Sequence, residues 1–334
     1  MGGQGVGSAA VIRPEISDRE HRDRLLSGLE TLLSSWCTGG ELGAIARHVL
    51  ATPGKRLRAR MTLAVAALGR DDLGALDEDA LRAAAAVELL HEASLVHDDV
   101  CDRSPLRRGA PSVAAAFGMR TAVRFGLWLA ARGLALIGEL ERRRGLGLAF
   151  APLTTLAAGQ LLESLPCGGD VAARRANYLA VVRAKTGALV QTACDLGARI
   201  AGVSDDVRAA LAGFADAYGI AYQILDDVRD LESPPSLGKQ GGTDLTNELW
   251  TWPLLEWLGD RDGDAAPAVL DEELRALTRL PLPALRAELA RTGALQRARG
   301  FAQAELARGR RALYALPSSA GRAWLLELCG GGAA

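Results

Sequence analysis

Asp98, Asp99 and Asp102 close an apolar run that starts at Leu89, in the stretch LLHEASLVHDDVCDRSPLRRGAPSV, and the adjacent Arg107 and Arg108 follow within a few residues. If the run is helical, Asp98 and Asp102 share a face, because positions four apart are neighbours there. Like charges at that spacing repel, and a helix C-terminus is already partly negative, so three acids at this point call for a cation. Carboxylates without histidine or cysteine partners suit a hard ion. Mg²⁺, which keeps waters and shares phosphate oxygens with substrate, fits best. The arginine pair then reads as a bidentate clamp on those phosphates. A solvated acidic helix end beside a basic loop accounts for one such motif equally well.

A second copy of the pattern breaks the tie. AYQILDDVRD places Asp226, Asp227 and Asp230 at the same i, i+1, i+4 spacing, 128 residues after the first and again behind an apolar run. Two helices that present such acid faces across one cavity would hold several Mg²⁺ ions and a diphosphate between them.

Composition narrows the class. The net charge of −1 gives no electrostatic case for nucleic acid or for an anionic membrane surface. Hydrophobic residues make up 49% of the chain, enough for a large core, while aromatics are only 4% and alanine, leucine and arginine dominate, which favours helix. The five cysteines (Cys37, Cys101, Cys167, Cys194, Cys329) are scattered without metal-ligand spacing, and a reduced, cytoplasmic setting is expected. MGGQGVGSAA has neither the charged nor the apolar region of a signal peptide. Val6 breaks the myristoylation pattern, and Cys329 is too far from the end for prenylation. The most apolar long stretch, Thr121 to Gly138, is interrupted by Arg124 and Arg132, so no membrane span is expected.

The elements that must position the acids read as helices throughout. Ser17-Asp18-Arg19-Glu20 is a capping box, followed by an apolar face of Leu25, Leu26, Leu29, Leu32 and Leu33. Gly39-Gly40 and Thr52-Pro53-Gly54 punctuate a short helix, and another starts near Lys55. A long helix is expected from Asp77 to Asp102, with further helical runs over 112–142, 147–164, 171–201 and 206–233. Pro234 to Thr243 is a polar, Gly- and Pro-bearing segment that starts where the second acid cluster stops, as a lid would. Shorter helices follow from Asn247, broken near Pro267, Pro281, Pro283 and Pro317. No useful strand pattern, fixed repeat or linker appears. The expectation is one all-α domain over 17–328, a helical bundle around a deep cavity, between a disordered tail at 1–16 and a C-terminal tail at 329–334.

Only three of the 39 basic side chains are lysines, Lys55, Lys185 and Lys239, so each is expected where a compact point charge is needed. These lysines and the acid motifs together resemble the trans-isoprenyl (polyprenyl) diphosphate synthases over residues 18–328. The matching segments are GKRLR at 54–58, the first acid motif with RRG at 98–109, GQ at 159–160, KTG at 185–187, the second acid motif at 226–230 and GKQGGTDL at 238–245. The resemblance implies the isoprenoid synthase fold, a homodimer, and a 1'-4 condensation of an allylic diphosphate with isopentenyl diphosphate. It implies about three Mg²⁺ ions per site. Carried over by position, Asp98, Asp102 and Asp226 would bind metal. Asp99, Asp227 and Asp230 would support them by ligation or by hydrogen bonds. Arg107 resembles the allylic-diphosphate arginine, and Lys55, Arg58, His91 and Arg108 the isopentenyl diphosphate site. Lys185, the Thr186 carbonyl and Gln223 would face the nascent allylic cation, and Lys239 would close over the diphosphate.

The remaining candidates have structural readings. His21, His48 and His97 are expected to be structural, Glu92 a solvated or paired acid, and Trp250, Trp252 and Trp257 core. Asp71-Asp72 and Asp205-Asp206 suit helix starts. The run Asp260, Asp262, Asp264 lacks the glycine of a calcium loop, since Ala265 stands there. Two departures from the family pattern stand out. Glu248-Leu249 replaces a Gly-Lys pair, which removes one diphosphate-binding lysine, and Gly126-Leu127 replaces Gly-Asp. Three rivals follow: a same-fold prenyltransferase with a non-isoprenoid acceptor, a class I terpene cyclase and a non-catalytic partner subunit. Small Ala93 and Ser94 upstream of Asp98, with Leu89 and Leu90 one turn further back, point to a product longer than farnesyl, geranylgeranyl diphosphate first.

Overall fold

The computed structural model describes residues 18–37, 39–70, 73, 76, 78–147, 151–163, 165, 168–232, 250–259 and 266–331. The helices are α1 (Asp18–Ser34), α2 (Gly40–Leu50), α3 (Leu57–Ala66), α4 (Glu78–Cys101), α5 (Val113–Phe117), α6 (Met119–Arg144), α7 (Ala151–Glu163), α8 (Val171–Val182), α9 (Ala188–Ala201), α10 (Asp205–Glu232), α11 (Trp252–Gly259), α12 (Pro267–Thr278), α13 (Leu282–Arg291), α14 (Ala294–Tyr314) and α15 (Ala320–Gly331). The all-α expectation holds. The small exception is an antiparallel pair of two-residue strands, β1 (Leu106–Arg107) and β2 (Ala110–Pro111), which pairs Arg107 with Ala110. Two residues per strand leave no alternation for a sequence pattern to show.

Burial explains the arrangement. From Ala83 to Leu90 every side chain of α4 is buried, so this helix has no solvent face in its middle and becomes the axis of the bundle. Its alanines let α6 approach closely. A Cβ at Gly133 would stand 3.0 Å from the Ala86 carbonyl oxygen. One core lies among α3, α4, α6, α9 and the first half of α10. A second lies among α8, the second half of α10 and α11 to α14. The 28-residue α10 spans both and ends in the second acid motif.

Several boundaries differ from the sequence expectation. The run 112–142 divides at Gly118, whose φ of 88° ends α5, and α6 continues to Arg144. The run 171–201 is interrupted by a π-helical turn, Arg183–Gly187. The C-terminal helix reaches Gly331 and buries Cys329, so the helical domain extends past residue 328. Among the described residues, α6 is the one helix long and apolar enough to cross a membrane, Arg124 and Arg132 notwithstanding. Its inner face, with Phe125, Leu129, Ile137 and Leu140, is buried in the core. Its outer face carries an apolar stripe of Met119, Val123 and Leu127 beside the exposed Arg120 and Arg124. The tail 1–16, Ser17 of the capping box, Asp71-Asp72, the segment 234–249 with Lys239 and Glu248-Leu249, and the acids at 260–264 lie outside the described residues.

Candidate active site

The first acid motif straddles the C-terminal end of α4. The Asp102 N–H still donates to the Asp98 carbonyl at 2.8 Å, so the helical ladder reaches Asp102 and keeps the two acids on one side. Asp99 points elsewhere. It is 3% exposed, and its two oxygens accept from Arg107, with Nε–O distances of 3.0 and 3.2 Å and a further bond from Nη2. The tight hairpin of β1 and β2 returns Arg107 to the helix that it follows.

The second motif repeats the division with different partners. Asp227 is also 3% exposed. It accepts from the Tyr178 hydroxyl at 2.6 Å, the Gln223 amide at 3.0 Å and the Trp252 backbone N–H at 3.1 Å. Asp226 lies on the exposed side of α10, with Arg229 Nη1 3.8 Å from its carboxylate. Of the two roles open to Asp99 and Asp227, direct ligation or hydrogen-bonded support, the geometry favours support. In this structure their carboxylates are engaged by protein donors.

The π turn joins the two motifs. Lys185 Nζ lies 2.5 Å from Glu163 at the end of α7 and 3.7 Å from Asp98 on α4. The neighbouring Thr186 hydroxyl donates to the Gln223 side-chain oxygen at 2.8 Å, and Gln223 leads on to Asp227. Asp98, Lys185, Thr186, Gln223 and Asp227 thus form one connected set, 129 residues apart in sequence at its extremes. Glycines admit the turn at this position. A Cβ at Gly159 would stand 2.8 Å from the Lys185 backbone nitrogen, and one at Gly219 would stand 3.0 Å from the Gly187 Cα. Only glycine lets α7 and α10 clasp the π turn from both sides.

Charge follows from this packing. Burial raises the pKa of Asp98; Lys185 opposes the rise, while the charges on Asp102 and Glu163 add to it. Burial pulls the Lys185 ammonium down, but Asp98 and Glu163 outweigh that and hold it protonated above its ordinary value. His91 is driven well below its ordinary pKa by burial, helped by Arg58 and Arg108, so it is neutral at pH 7. Its Nε2 lies 3.1 Å from Arg58 Nη1. Since arginine can only donate, Nε2 accepts and the proton sits on Nδ1.

Among the described residues no three carboxylate, imidazole or thiol groups converge closely enough to hold an ion unaided. With Asp99 and Asp227 turned inward, each motif offers its outer acids alone. That oxygen-only donor set fits an ion that keeps waters and completes its shell with substrate phosphate, as Mg²⁺ does. Sequence reasoning missed Glu163, four residues after Gly159, and Tyr178, seven before Lys185. Neither carries a local signal, because each acts across helices. The structural histidine readings agree: His48 Nε2 lies 2.8 Å from the Pro111 carbonyl and His97 Nε2 3.2 Å from that of Val123. Trp252 and Trp257 are buried and Trp250 packs against the same core.

The comparisons with known proteins agree with this geometry. The polyprenyl synthetase family model matches residues 40–275, and the chain belongs to that family. It is 33% identical over 290 residues to heptaprenyl diphosphate synthase component 2 of Geobacillus stearothermophilus, covering 86% of this chain and 88% of that one. It is 32% identical over 216 residues to a geranylgeranyl diphosphate synthase of Methanosarcina mazei, covering 63% and 65%. The crystal structure of a polyprenyl synthase from Caulobacter crescentus, complexed with calcium and isoprenyl diphosphate, superposes with a TM-score of 0.78 at 28% identity, over 96% of this chain and 98% of that one. The protein is therefore a trans-prenyltransferase, a prenyl diphosphate synthase with the isoprenoid synthase fold, of a family that uses divalent metal ions. Relatives that make different chain lengths leave the length open.

Proposed function

We propose that this synthase condenses an allylic diphosphate with isopentenyl diphosphate in a 1'-4 linkage and releases a trans-polyprenyl diphosphate longer than farnesyl, with geranylgeranyl diphosphate the product proposed. The observation that carries the reading is the connected set through Lys185 and Thr186, which brings one acid motif to the other. Asp98, Asp102 and Asp226, with Asp230, would hold Mg²⁺, which neutralises the diphosphate as the allylic C–O bond breaks. Arg107, fixed by Asp99, binds the departing diphosphate. Lys55, Arg58, His91 and Arg108 bind the second diphosphate. Lys185 contributes positive charge on the diphosphate side. The Thr186 carbonyl and Gln223 face the allylic cation, whose charge they stabilise until the isopentenyl double bond attacks it. A proton then leaves to the released pyrophosphate. Lys239, on the segment outside the described residues, closes over the diphosphate in this reading.

Small side chains support the product length. Ala93 is buried, Ser94 turns its hydroxyl back to the His91 carbonyl, and the bulkier Leu89 and Leu90 one turn further back are themselves buried. The enzyme is further proposed to work in the cytoplasm, in keeping with the free thiols of Cys37, Cys101, Cys194 and Cys329, and as a homodimer. The outer stripe of α6, with Met119 54%, Val123 39% and Leu127 61% exposed at every fourth residue, suits a second copy of the chain. Light scattering of the wild type and of Leu127→Arg tests this: a dimer that dissociates is expected, and a monomeric wild type refutes it. For the reaction, purified protein is incubated with Mg²⁺, isopentenyl diphosphate and each short allylic diphosphate. A C20 diphosphate is the expected product. A cyclised hydrocarbon, or no turnover with any pair, would overturn the reading.

A further inference from the structure

Glu92, which follows His91 on α4, is 5% exposed. Its Oε1 accepts from Arg108 Nη1 at 2.9 Å and from Arg56 Nη1 at 3.3 Å. These two arginines come from different segments, Arg56 from the turn before α3 and Arg108 from the tip of the hairpin. Arg56 is further held by Glu30 at 2.8 and 3.2 Å and by Glu88 at 3.4 Å, and Glu88 also accepts the Ala59 N–H at 3.0 Å. Arg56, in the middle of GKRLR, is therefore internally neutralised.

Two further features converge on the same carboxylate. Among the described residues, three other than glycine have positive φ, and two of them are Arg56 at 51° and Arg108 at 52°. Such backbone persists where the surroundings over-determine it, and here the shared partner is Glu92. The Arg108 guanidinium also donates to the Thr52 carbonyl at 2.9 Å and lies flat on Gly54, where a Cβ would stand 2.8 Å from Nη2. The hairpin arginine is thereby seated directly on the loop that carries Lys55.

We propose that Glu92 is a positioning residue for the second diphosphate subsite, holding Arg108 against the Gly54-Lys55 loop so that both cationic arms meet one diphosphate. It acts through Arg108 and touches no substrate. The proposal rests on the reading of Lys55, Arg58 and Arg108 as the isopentenyl diphosphate site.

The test combines steady-state kinetics, with each diphosphate varied in turn, and calorimetric binding of isopentenyl diphosphate alone. Glu92→Ala is expected to raise the KM and the Kd for isopentenyl diphosphate about tenfold, the loss of one charge-assisted contact, with smaller changes in kcat and in the allylic KM. Glu92→Gln, which keeps one acceptor oxygen, should recover part of that loss. If the alanine variant does not fold, Gly54→Ala replaces it, because the added methyl unseats Arg108 while Glu92 stays in place, and the same selective rise is expected. A lowered melting temperature without a change in isopentenyl diphosphate affinity, or equal KM changes for both substrates, would overturn the proposal. A wild type that binds isopentenyl diphosphate without turning it over would sink the proposed reaction but not the positioning role, which the Kd values then decide. A wild type that binds none sinks both.

Discussion

The two acid motifs share one spacing and use it in different electrostatic settings. At the end of α4 the middle acid, Asp99, is neutralised by the charged Arg107. At the end of α10 the middle acid, Asp227, is held by neutral donors: a phenol, an amide and a backbone N–H. In both, the middle carboxylate turns into the protein. On the proposed reading of the outer acids as metal ligands, the adjacent pair of aspartates divides labour, one acid for ligand and one for scaffold. The walls behind the motifs differ as well. Upstream of Asp98 stand Ser94 and Ala93; upstream of Asp226 stand Tyr222 and Tyr218, whose rings stack with centroids 6.1 Å apart. One wall carries small side chains and the other carries aromatic rings.

The largest expected effect separates outer acids from inner ones. Asp98→Ala or Asp226→Ala should lower turnover by several orders of magnitude, since each removes a carboxylate proposed to hold metal. Circular dichroism should remain native, and the metal-free melting temperature should hold or rise as carboxylate repulsion falls. Near-normal rates for Asp98→Ala would remove the basis of the metal reading.

Replacing the inner acids should instead show the contrast between their partners. Asp99→Asn leaves Arg107 half-buried without its counter-charge, at a cost on the order of 2 kcal/mol, and should raise the allylic KM. Asp227→Asn puts an NH₂ group against other donors, at a cost of about 1–2 kcal/mol, and should act on kcat through Gln223 and Thr186. Urea titrations with substrate-resolved kinetics measure both. Identical kinetic signatures would mean that the partners make no difference.

The wall of small side chains gives a third prediction. Ala93→Phe should fill the space of the last isoprene unit and shift the product to farnesyl or shorter, with a packing cost of about 1–3 kcal/mol. An unchanged product from a well-folded variant would show that the growing tail does not follow α4.

The smallest effect concerns pH. His91 is neutral in the folded protein because burial and the neighbouring arginines depress its pKa, whereas the unfolded chain takes up a proton near 6.5. Below that pH the unfolded state binds more protons, so this contribution to stability is present above about 6.5 and is lost as the pH falls towards the folded value. Urea stabilities at pH 7.5 and 5.5 should differ less in His91→Asn than in wild type. An equal difference would place the acid sensitivity elsewhere.

Much of this was legible in the chain itself. Helix-period patterning and the long apolar runs ending in acids sufficed for an all-α bundle, because amphipathic spacing is a local property. The two acid motifs, the three lysines among 39 basic residues and the order of the GKRLR, KTG and GQ segments sufficed for the chemistry. Tertiary structure decided which oxygen points where. Nothing in DDVCD or DDVRD distinguishes Asp99 from Asp98 or Asp227 from Asp226. The distinction comes from Arg107 returning on a hairpin and from Tyr178 and Trp252 arriving on other helices. The same holds for Glu92, whose ambiguity between a solvated and a paired acid is resolved by arginines 36 residues before it and 16 after. A residue's type fixes what bonds it can make, and only the packing of distant segments fixes which of them it does make.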